Sequence, residues 1–79
     1  MEELIATYLT KGDDGRSYSV YEYQEYIDAS SYDGEAWVPS LKRLELDDGS
    51  PVNFIDDRTL KAVRTGVTLT VEKRIEENK

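Results

Sequence analysis

The chain has 79 residues, no cysteine, no histidine and a net charge of −7. That length allows one small domain, which buries only roughly 60–65% of its unfolded surface and must hold together by packing alone. The missing ligands and bases exclude disulfide frameworks, zinc fingers, His- or Cys-ligated haem, Ser-His-Asp triads and thiol nucleophiles.

Tight-turn residues divide the chain at short intervals: "GDDG" at 12–15, "SSYDGE" at 30–35, "DDGSP" at 47–51, "IDDR" at 55–58 and "RTG" at 64–66. Between them lie runs rich in Val, Ile, Leu, Thr and Tyr. Turns every 8–12 residues are the mark of an all-β meander, sandwich or barrel. Strands are expected at 2–11, 16–28, 37–46, 51–55, 59–64 and 67–74. The fold class is therefore an all-β domain of five or six antiparallel strands, closed or nearly closed as a small SH3-like barrel. An open sheet that dimerises through an edge strand is the alternative.

The first segment, "MEELIATYLTKGDDG", carries acids where a signal peptide would carry positive charge. No segment approaches the ~18–20 apolar residues that span a bilayer. A cytoplasmic protein with no membrane partner is expected, and the absence of cysteine fits a reducing compartment.

The second segment holds "YSVYEYQEY", four tyrosines in nine residues. A helical period scatters its apolar residues around the whole circumference. At period two, Tyr18 and Val20 share one side while Tyr21, Tyr23 and Ile27 share the other. A phase shift near Val20–Tyr21 through a β-bulge is the expected solution, giving one long bent strand. Six tyrosines exceed what so small a core can hide. Tyr21, Tyr23 and Tyr26, with the acids Glu22 and Glu25, are thus candidates for an exposed, partner-binding face.

Trp37, in "GEAWVPS", is the only tryptophan. It is expected to plug the core, with partner contact as its second possible role. Further on, "LKRLEL" and "PVNFI" are joined by "DDG", with Pro51 at a strand start where a missing N–H does least harm. "TLKAV" and "VTLTV" meet through Arg64-Thr65-Gly66, and Val67, Leu69 and Val71 alternate with polar neighbours as in a half-buried strand. The end, "VEKRIEENK", suits a helix by propensity but has too little apolar content to dock. The domain is expected to cover 1–74, with a disordered tail at 75–79.

Charge is unevenly distributed. Residues 1–40 hold nine acids and two bases, whereas residues 41–79 hold eight of each. The acid pairs Asp13-Asp14, Asp47-Asp48 and Asp56-Asp57 fall in turns, where aspartate bonds nearby backbone. They lack the spacing of a calcium loop, so no metal, cofactor or catalytic residue is assigned and enzymatic activity is not expected. A single-strand nucleic-acid barrel could use Lys42, Arg43, Lys61, Arg64, Lys73 and Arg74. However, the rings lie among acids in the other half, and the net charge repels phosphate. Pairing of the basic strands with acidic ones across the sheet explains those cations better. The leading expectation is a non-enzymatic protein-interaction module whose partner is another protein or a second copy.

Residues 41–70, "LKRLELDDGSPVNFIDDRTLKAVRTGVTLT", resemble a pattern found in short bacterial β-rich proteins: a leucine-bearing strand, an acidic-glycine turn, P-V-N, an acidic pair and a T-G hairpin. The resemblance implies a β-rich fold and brings with it no activity, cofactor or site residue.

Overall fold

A computed structural model of the chain describes residues 1–28 and 37–77. The expected turn at 30–35 and Tyr32 lie outside the described residues. Six strands follow one another: β1 (Glu2–Gly12), β2 (Ser17–Asp28), β3 (Trp37–Leu46), β4 (Pro51–Asp56), β5 (Thr59–Ala62) and β6 (Thr68–Glu76). Each pairs antiparallel with the next, and β6 returns to β1, so the meander closes into a barrel. Closure removes the open-sheet alternative.

Alternation along the strands sets the inside. On β1, Ala6, Tyr8 and Thr10 point inward, and on β2 Val20, Glu22 and Gln24 do so. Leu60 and Leu69 face each other across β5 and β6, both 0% exposed. With Leu46, Val52 and Ala62 they complete a core of small and medium side chains. Burying each such leucine contributes about 1.5–3 kcal/mol.

Three hairpin turns gather at one end of the barrel. Gly15 and Gly49 both sit at φ +86°, where a side chain would be strained. In each of these two turns an aspartate holds the backbone: Asp14 Oδ1 accepts from Arg16 N–H, and Asp48 Oδ1 from Ser50 N–H. The third turn closes when Gly66 N–H donates to the Ala62 carbonyl at 2.8 Å.

Two expectations need correction. The irregularity in β2 is not at Val20–Tyr21. Its register shifts lie opposite Leu4/Ala6 on β1 and between Gln24 and Tyr26 against β3. Gln24 explains the second, because its side-chain amide donates to the Ser40 and Leu41 carbonyls that the extra β3 residue leaves unladdered. Nor does the chain fray after Arg74. Ile75 pairs with Thr7 and Glu76 with Ala6, and Glu77 N–H donates to the Ile5 carbonyl at 3.0 Å. The ladder offered by the long β1 outweighs the low apolar content of this segment. The rest of the expected tail, Asn78 and Lys79, lies outside the described residues.

Strand lengths are unequal, with consequences for shape. β2 and β3 run 12 and 10 residues, whereas β4 and β5 run 6 and 4. At about 3.3 Å per residue the short pair cannot cover the long pair. The β2–β3 hairpin therefore projects as an arm, and the molecule measures 51 × 24 × 22 Å.

Candidate functional site

The mismatch opens the barrel on one side. β3 and β4 pair only at Leu44–Val52 and Glu45–Pro51. Beyond Leu44, β3 continues back to Trp37 paired with β2 alone.

Hydrogen-bond parity shows what the opening presents. Val63 N–H donates to the Pro51 carbonyl, so Pro51 turns its backbone toward β5 and Val52, one residue on, turns toward β3. Phe54 has the parity of Val52. On the facing strand Leu46 N–H donates to the Ser50 carbonyl, which sets Leu46, Leu44 and Lys42 toward β4. The backbone groups of Lys42 and Phe54 thus aim into a gap past the last rung of the ladder.

That gap is a slot of about 560 Å³ lined by Glu22, Lys42, Arg43, Leu44, Pro51, Val52, Asn53 and Phe54. Its volume lies within the ordinary range for ligand sites. Phe54 pairs with the buried Leu60, which puts it on the inward-facing side of β4. It is nonetheless 59% exposed, because β3 has left the wall it would have packed against. Lys42 makes no ion pair among the described residues.

Glu22 lies at the base of the slot. Tyr8 Oη donates to its Oε1 at 3.0 Å, Arg74 approaches the same oxygen at 3.7 Å, and Arg74 Nε donates to Tyr8 Oη at 3.2 Å. Burial pushes the Tyr8 phenol above its ordinary value, which keeps its proton available for this bond. The guanidinium of Arg74 stands 5.6 Å from the Tyr8 ring centre and is also held by Glu76 at 2.5 Å. Glu22 Oε2 has no protein partner among the described residues, and Glu22 lines the slot.

The structure divides the residues singled out in the sequence. Tyr21, Tyr23 and Glu25 lie on the outer face of β2, the two rings half-buried and Glu25 exposed. Arg43 lies over the Tyr23 ring at 4.7 Å and reaches Glu2 on β1 through two bonds of 2.5 and 2.8 Å, while also bonding Glu45. That bond to Arg43 holds the Glu2 carboxyl below its usual value. Glu22 does not accompany the rings; period two places it inside. Tyr26 lies past the register shift and donates to Glu3 at 3.2 Å.

Trp37 is not a core plug. It opens β3 opposite Asp28, on the projecting arm, and is 51% exposed. Ile27, Val38 and Leu41 are exposed on the same arm. Sequence reasoning missed Phe54 and Lys42 as neighbours across an opening. The available signal was arithmetic: "PVNFID" and "TLKA" are too short to span "WVPSLKRLEL".

Of the cations proposed for nucleic acid, Arg43 and Arg74 are held by carboxylates, each by one on its own strand (Glu45, Glu76) and one two strands away (Glu2, Glu22). Lys61, Arg64 and Lys73 are exposed and make no ion pair among the described residues. No three acidic side chains among the described residues converge to hold a metal ion, and no helix there is long and apolar enough to cross a membrane. The chain is thus a small acidic six-stranded barrel with one incomplete seam. No family model, curated protein or solved structure matches it.

Proposed function

We propose that the protein is a non-enzymatic interaction module that binds another protein in the cytoplasm through the β2–β3 arm and the adjoining tyrosine face. The carrying observation is the arm itself: Trp37, Val38 and Leu41 stand exposed on β3, whose second edge is unpaired there, and Ile27 is exposed beside them on β2. Soluble chains seldom display such a cluster without using it, and tryptophan is among the residues that dominate interface energies. Tyr21, Tyr23 and Glu25 extend the surface along the outer face of β2.

Protein is favoured over nucleic acid by the local charge. Two of the six candidate cations are neutralised by Glu2, Glu45, Glu22 and Glu76, and the chain keeps its net charge of −7. Single-stranded oligonucleotides titrated at about 50 mM salt should therefore not bind; tight binding that falls steeply with added salt would make the basic residues the site instead. In capture from a lysate of the source cell, a protein should be retained by the wild type after nuclease treatment. The Trp37→Ser/Leu41→Ser variant should lose it. Equal retention by that variant would remove the arm from the proposal.

A further inference from the structure

The slot between β3 and β4 has features a plain apolar arm does not need. It combines inward-directed backbone groups on both walls, an uncovered aromatic, and a carboxylate oxygen with no protein partner among the described residues. We propose that this slot receives an extended, apolar and cationic segment of the partner protein as an added strand beside β3. The idea rests on the interaction-module reading and specifies its binding mode.

Each requirement of strand addition is met by a named residue. Lys42 and Phe54 supply main-chain donors and acceptors, whose pairing provides affinity in such complexes. Leu44, Val52 and Phe54 form an apolar floor and wall for an alternate side chain of the incoming strand. Glu22 Oε2 gives that strand a reason to carry a lysine or arginine: Tyr8 and Arg74 both address Oε1, so the carboxylate is already fixed and a cation meets the open Oε2 without ordering a new side chain. The net charge of −7 attracts the same kind of segment from a distance.

A second copy of the chain is the poorer occupant. It carries the same −7, and Pro39 stands in the free edge of β3. Tyr26 N–H donates to the Met1 carbonyl, so Tyr26 turns from β3, and its partner Pro39 turns its backbone outward. An edge whose middle lacks an N–H pairs badly with itself.

The test uses synthetic peptides that alternate valine with lysine, matched peptides that alternate valine with glutamate, and a lysine–valine peptide N-methylated along one backbone edge. Binding is followed through the amide resonances of the full chain. The lysine–valine peptide should shift the Lys42 and Phe54 amides and slow their exchange with solvent; the other two should not. Glu22→Gln, which still accepts from Tyr8, should weaken that peptide about tenfold. Phe54→Ser, at an exposed position, should weaken it as well and serves if the Glu22 variant unfolds. Equal binding of the glutamate peptide, or shifts confined to Tyr21 and Tyr23, would overturn the proposal. Shifts of Lys42 and Phe54 that grow with protein concentration alone would put a second copy in the slot and overturn it too. If a protein is captured through Trp37 and Leu41 while no peptide reaches the slot, only the strand-addition mode fails; if neither occurs, both readings fail.

Discussion

The two ends of this barrel solve opposite problems with the same strands. At the turn end, three hairpins close the sheet, glycines take the conformations other residues resist, and Leu46, Ala62 and Leu69 fill the interior beside Thr10, whose hydroxyl donates to the Tyr18 carbonyl. At the other end the inward positions are Tyr8, Glu22 and Gln24, and the wall between β3 and β4 is missing. Stability is concentrated at the first end. The second retains polar groups and open backbone at some cost in stability, as binding regions generally do.

Substitutions should separate the ends by size of effect. Leu60→Ala or Leu69→Ala removes a fully buried side chain from the closed core and should cost about 2–5 kcal/mol in urea unfolding. Phe54→Ala, equally apolar by sequence, should cost under about 1 kcal/mol, since its ring is mostly exposed. Equal losses would erase the contrast.

Gly12→Ala comes next. A β-carbon there would approach Tyr18 Cε2 to 2.8 Å and Val67 Cγ1 to 3.0 Å, so a loss of about 1–3 kcal/mol is expected. At the open end, Tyr8→Phe strips Glu22 of its 3.0 Å hydrogen bond and should cost about 1–2 kcal/mol, less than either leucine. A gain in stability would mean that water already serves that carboxylate better than Tyr8 does.

Acid sharpens the comparison least. Hydrogen bonds from the Ser50 hydroxyl and backbone hold the Asp48 carboxyl below its ordinary value, and Tyr18 and the Arg16 backbone do the same for Asp14. A lowered folded pKa contributes stability above the unfolded value of about 3.9 and loses it as pH falls through the folded one. Asp48→Asn should accordingly flatten the fall in stability below about pH 4, seen as a smaller drop in unfolding midpoint. An unchanged slope would show that this turn does not sense acid.

Much of the first end was legible in the sequence. Each hairpin turn announced itself by aspartate or threonine beside glycine, and the alternation of Leu69 and Val71 with threonines gave their strand its inward face. β2 misled because its inward residues at the open end are Glu22 and Gln24, while its outward ones are Tyr21 and Tyr23. Hydrophobicity there runs against the true period, since Arg43 and Tyr8 supply partners no local pattern reveals. The slot was hidden for another reason: it exists only where three strands of different length meet.

Closure between β1 and β6 carries a further consequence, for the order of events as the chain is made. Thr7 Oγ1 donates to Glu77 across 70 positions of sequence, and the ring has no seal until β6 arrives. Contacts that distant slow folding. While β6 is still inside the ribosome, β1 and β5 each expose a raw edge, so the newly made chain is most vulnerable to pairing with its neighbours in the moments before its last strand emerges.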